Sequence, residues 1–349
     1  METMKKIYGK NKLLVANTII LFLCAEIFCN ILSYRFGYHG DVELSFYTNV
    51  FVEIICFVCG VIIASRYGDR FDKKYIPYLC AGSIILSLCC SGSGFIDLYF
   101  FDFYAAPIFG FITVYFLAQY YINYCTKSIF HNLMYIFAGS VFIVKNVGEI
   151  EPYFIFTLQI ALFVSLQSSI KDKRINLINI IHTIVAFMFD CWLVFANVYD
   201  YINFEFEEGH IIVRIESVLR TLKPFGKSEK FREIETLNSN FDLMRISGYF
   251  GYVAGVFVLV VLTVFIVSIF IKAFRNKDSI CAASLTAVSI FGVSYVSSVL
   301  MNSGIVFGQI YVDAPILSYG KCGLLITGLL LGLIFADVDK ITMKVTESF

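Results

Sequence analysis

Ten apolar stretches, 13–33, 46–65, 76–96, 103–124, 129–145, 153–170, 175–198, 246–272, 280–301 and 321–338, follow one another along this 349-residue chain. Each is about as long as a helix needs to be to cross a bilayer, roughly 18–25 residues. A backbone in hydrocarbon must satisfy its own hydrogen bonds, so runs of this length can only be helices. The expected fold is therefore all-α: a polytopic membrane protein of about ten transmembrane helices, forming one integral membrane domain over 1–349. The composition agrees, because 58% of the residues are hydrophobic and 15% are charged, against roughly a quarter charged in soluble domains.

The charges set an orientation. With the N-terminus in the cytoplasm, seventeen Lys and Arg residues lie on the inner side, whereas short outer loops hold Arg35, Lys145 and Lys321. That asymmetry follows the positive-inside rule and places both termini in the cytoplasm of a plasma membrane. METMKKIYGKNK precedes the first run without a small-residue cleavage site, which reads as a retained first helix. The net charge is zero and no basic block is present, so nothing suggests nucleic acid. Eleven cysteines lie in or beside apolar runs and read as small core residues, the Cys56-x-x-Cys59 pair included.

One connection stands apart. Residues 199–245 form a large extracytoplasmic loop between spans seven and eight, with seven basic and nine acidic residues. Long loops are exempt from the charge rule. Within it Ile211, Ile215, Val218 and Leu222 recur at helical spacing, which predicts an amphipathic helix on the membrane surface or against the bundle. Lys223-Pro224-Phe225-Gly226 should stop it.

Ionisable groups inside spans are costly and so are functional candidates. They are Glu26, Glu53, His182 and Asp190; a polar contact with a neighbouring helix is the plainer reading of each. No phosphate-cradling glycine loop, HExxH, GxSxG or metal-ligand spacing occurs.

The order of features in the last third resembles the SEDS family of cell-wall glycosyltransferases, the FtsW, RodA and SpoVE group. NSGIVFG, from Asn302 to Gly308, is similar to the family's Asn-to-Gly stretch. PILSYG, with Pro315, Ser318, Tyr319 and Gly320, is similar to its Ser-Tyr-Gly corner before span ten. GYFGYVAG (Gly248 to Gly255) resembles the start of span eight, and RIESVLRTLKP (Arg214 to Pro224) the Arg-rich helix of the large loop. The resemblance implies a role in cell-wall synthesis, shape or division, on a bundle that binds membrane lipid and a lipid-linked disaccharide. A transpeptidase or a division or elongation protein would be its partner. The family's chemistry needs an outer-face carboxylate as base, and cations or a divalent metal to offset the departing diphosphate.

The departures fall on that machinery. An ungapped reading back from Gly251 puts Asn240 where the family carries its acid, and Asn is no proton acceptor at neutral pH. Asp242, two residues on, is the substitute a small shift would present. The charged element of the fourth span is replaced by Ala105, Ala106, Pro107 and Gly110, and Lys321 stands where a second glycine would follow Gly320. Lys321 either snorkels to the headgroups or binds phosphate. The leading expectation is a member that acts by binding a lipid-linked glycan or a partner, in effect a pseudoenzyme without a cofactor. A peptidoglycan, O-antigen or capsule glycosyltransferase with a rebuilt site is the alternative. In that case Arg214, Arg220, Lys223 and Arg232 would grip diphosphate, with Asp242, Glu233 or Glu235 as the base and a metal if one is needed. A lipid flippase or transporter is a third, although no internal repeat is visible.

Overall fold

A computed structural model describes residues 13–21, 23–24, 43–67, 73–89, 95–98, 101–125, most of 130–139, 184, 188, 208–234, 241–275, 278–303 and 321–335. Glu26, His182, Asp190, Asn240, Gly308, Pro315, Ser318, Tyr319 and Gly320 lie outside these residues. Besides helical residues within 13–24 and 130–139, the helices described from end to end are α1 (Glu43–Tyr67), α2 (Ile76–Cys89), α3 (Ala105–Tyr120), α4 (Glu208–Arg220), α5 (Asp242–Phe250), α6 (Tyr252–Arg275), α7 (Asp278–Asn302) and α8 (Lys321–Phe335). Two short strands, β1 (Phe95–Leu98) and β2 (Phe101–Tyr104), pair antiparallel between α2 and α3, with Asp97 opposite Asp102.

The all-α membrane architecture is present, with local differences; the runs at 153–170 and nearly all of 175–198 lie outside the described residues. The span placed at 76–96 ends at Cys89, and that placed at 103–124 begins at Ala105, because the aromatic stretch between them forms the hairpin. The span placed at 246–272 is two helices: Gly251 adopts φ 100° and separates α5 from α6. The apolar part of α6, Tyr252–Ala273, has 22 residues and a mean hydropathy of 3.0. At 1.5 Å per residue it is about 33 Å long, which matches the hydrocarbon core. In α7 the residues Ala282, Ala283, Ser284, Thr286 and Ala287 are fully buried, so small side chains let neighbouring helices close around it.

Backbone packing between α1 and α8 is closer than bulky side chains allow. A Cβ on Gly60 would lie 2.6 Å from the Leu325 carbonyl oxygen, and one on Gly328 would meet the Phe57 carbonyl. One on Gly332 would lie 2.8 Å from Ala64 Cβ. Gly60-xxx-Ala64 and Gly328-xxx-Gly332 are thus facing small-residue ridges, the device that replaces hydrophobic driving force between helices in lipid.

Two hydrogen bonds fix which helix ends lie together. The Tyr124 hydroxyl donates to the Lys73 carbonyl at 2.8 Å, and Lys272 Nζ donates to the Ile334 carbonyl at 2.9 Å. The first makes α2 and α3 antiparallel with the hairpin at their far end. The second caps α8 with a cation at its negative C-terminus and sets α8 parallel to α6. Strand β2 packs on α8 and α5 packs on α7. The hairpin, α5 and the first turns of α6 and α8 therefore share the end opposite Lys73 and Lys272.

Candidate functional site

At that end the short helix α5 sits between the long loop and the bundle. Its N-cap position is Phe241, which has no oxygen to offer the exposed amides of the first turn. Another helix supplies the cap: Asn302 Oδ1, at the end of α7, accepts the Met244 N–H at 2.6 Å. The Asn302 Nδ2 group donates to the Ser298 carbonyl at 2.7 Å, which holds the amide in orientation. The Asn that marks the family-like stretch thus has a definite structural task.

The first residue of α5 is Asp242. It is 2% exposed, and Arg245, one turn on, is 0% exposed. Arg245 Nη1 donates to Asp242 Oδ1 at 3.0 Å. The pair is a charge-assisted hydrogen bond between two enclosed groups. Asp242, the substitute acid that the sequence offers, is therefore tied into the fold. Asn240 itself is outside the described residues.

The loop is built around α4. Ile215 and Val218 are fully buried and pack with Phe231, Ile234 and Gly248, so the helix lies against the bundle and stops at Arg220 as the Lys-Pro-Phe-Gly turn begins. That turn is fastened to the α5–α6 corner by backbone bonds. The Gly226 N–H donates to Phe250 O at 3.0 Å, Ser228 N–H to Gly248 O at 2.7 Å and Tyr252 N–H to Lys223 O at 2.9 Å. Gly251 makes the close approach feasible, since a Cβ there would meet Pro224 O and lie 2.6 Å from Phe225 Cα.

The basic residues expected to grip diphosphate are spread around this unit. Arg220 pairs with Glu216 at 3.4 Å on the exposed side of α4, and Lys223 pairs with Glu229 at 3.0 Å. Exposed pairs of this kind contribute about 0–1 kcal/mol. Arg214, half-buried, lies near enough to favour the Glu233 anion. The Ser217 hydroxyl, followed by Lys230, holds the Glu233 carboxyl below its usual range. Its contribution to loop stability is present at neutral pH and is lost as pH falls through that lowered value. Each of these cations has a carboxylate within the same loop, so they do not converge on one anion. Lys321 is the first residue of α8. Glu53 is buried in α1, in keeping with a helix-facing acid.

Arg245 and the α1–α8 glycines are absent from the candidates that motif and charge select in the sequence. Signals were present: an Asp-x-x-Arg step puts the pair on one helix face, and small-xxx-small spacing recurs at 60–64 and 328–332. Among the described residues no group of His, Cys, Asp and Glu is arranged to hold a metal.

No protein-family model matches the sequence, and no curated protein matches it. Solved structures do. The rod shape determining protein RodA of Thermus thermophilus is 12% identical, with a TM-score of 0.55 over 95% of this chain and 96% of that one. A point mutant of the same protein gives a TM-score of 0.57. A chain from a structure described as a peptidoglycan synthase complex that coordinates polymerization and crosslinking is 13% identical, with a TM-score of 0.61 over 95% and 97%. At such identity the likeness is one of fold, and it runs nearly end to end.

Proposed function

We propose that this chain, a multi-pass membrane protein with the SEDS fold, works in the plasma membrane by holding a lipid-linked glycan rather than by polymerising it. One observation carries the reading: the buried ion pair of Asp242 with Arg245 at 3.0 Å engages the carboxylate closest to where a proton acceptor would be needed. General-base catalysis requires a carboxylate within hydrogen-bond reach of the attacking hydroxyl. Buried as the partner of Arg245, Asp242 offers that hydroxyl no accessible oxygen, and the aligned residue Asn240 has no carboxylate at all. A chain similar to this one forms part of a synthase complex that couples polymerization to crosslinking, which supports a transpeptidase as this chain's partner in wall synthesis. Cytoplasmic termini, from the charge asymmetry, put the 199–245 loop on the side where such glycans are assembled.

Native mass spectrometry of the purified chain with a lipid-linked disaccharide tests the reading. The expected result is a retained one-to-one complex that survives competition by an equal amount of anionic phospholipid. Equal displacement by plain phospholipid would remove the glycan from the proposal.

A further inference from the structure

The geometry points to Phe225 as a membrane anchor, a side chain held by the loop at the interfacial layer of the lipid leaflet that surrounds the start of α6. Phe225 is 74% exposed, although it stands in one of the most tightly hydrogen-bonded turns of the loop. The residues on both sides of it are tied to the helix corner: Tyr252 N–H donates to Lys223 O at 2.9 Å, and Gly226 N–H to Phe250 O at 3.0 Å. Phe225 therefore stands level with Tyr252, the first residue of a 22-residue apolar span whose length matches the hydrocarbon core.

The exposed face of α6 continues from that point. Tyr252, Val256, Val260 and Val267 are exposed in steps that keep to one side of the helix, and this side faces lipid. Phe225 stands beside the start of this helix, at the depth of the interfacial layer. Lys223, half-exposed beside it, has its ammonium on Glu229 at 3.0 Å while its stem can lie along apolar surface. Lys227, on the other side, lies 4.7 Å from the centre of the Phe231 ring, so its position is also set by the folded loop. A phospholipid interface satisfies the exposed ring, while the flanking cations keep their partners within the loop. The consequence is that the loop is fixed at a set height above the bilayer by its own ring as well as by the helix corner.

The chain has a single Trp, Trp192, so a Trp192→Phe, Phe225→Trp variant carries one reporter. In vesicles of brominated phosphatidylcholine, the introduced indole should show blue-shifted emission. Bromines high on the acyl chain should quench it more strongly than bromines near the chain end, and aqueous iodide should quench it little. If Trp192→Phe prevents folding, the difference in quenching between Phe225→Trp and the unaltered chain supplies the same readout. Strong iodide quenching would place the ring in water. Protection from both iodide and brominated lipid would place it under protein, a second copy included. Either result overturns the proposal.

Discussion

Asp242→Ala is expected to destabilise the protein by about 3–5 kcal/mol, because it leaves the guanidinium of a fully buried Arg245 without its carboxylate. Arg245→Met should cost a similar amount for the mirror-image reason. Removing both charges together is a different experiment. Paired replacement of a buried ion pair by apolar residues of similar volume is often neutral or stabilising by about 1–4 kcal/mol. Asp242→Leu with Arg245→Met should therefore unfold close to the unaltered protein, and the double-mutant cycle should show strong coupling. Denaturation midpoints in detergent would measure all four. Single variants within about 1 kcal/mol of the unaltered chain would mean that the pair contributes nothing net to the fold. The cycle also bears on function, since loss of activity in Asp242→Ala alone cannot separate a missing base from a collapsed corner.

Gly251→Ala should be the most damaging single methyl in the loop. Its φ of 100° and ψ of 161° lie in a region open essentially to glycine, where another residue is strained by about 1–3 kcal/mol. The added Cβ also meets backbone at Pro224 and Phe225, which cannot rotate away as a side chain would. The expected outcome is release of the 221–231 segment from the α5–α6 corner, seen as rapid proteolysis there and a lowered midpoint. Gly226→Ala is the control. Gly226 also has a positive φ, 85°, but its Cβ would meet nothing within 4 Å. It should cost only the torsional term, about 1–2 kcal/mol. Equal sensitivity of the two glycines would remove the close approach as the cause.

Much of the fold is legible in the apolar runs because bilayer thickness dictates their length. The loop helix was also readable from its 3.6-residue period, although it ends at Arg220, ahead of Leu222 and of the Lys223-Pro224 stop that the sequence suggests. Gly251 was not. It sits inside the continuous apolar run 246–272, and hydrophobicity carries no record of a positive φ. The hairpin at 95–104 was hidden for a related reason: its aromatic residues extend the neighbouring runs, and two four-residue strands are too short for alternation to stand out. At the site, the sequence points to Asn240 and Asp242, and its Asp-x-x-Arg step allows the Asp242–Arg245 pair, but only the fold encloses that pair and makes Asn302 the cap of α5. Those contacts join residues 3 and 58 positions apart, and the second depends on how α7 packs.

The most direct measurement is product formation from a lipid-linked disaccharide by the purified chain in vesicles, beside Asp242→Asn, which keeps the side chain's size and removes its charge. The expected result is no glycan polymer from either protein, with an active polymerase as positive control. Polymer made by the unaltered chain and abolished in an Asp242→Asn variant of unchanged thermal midpoint would contradict a protein that works by binding alone.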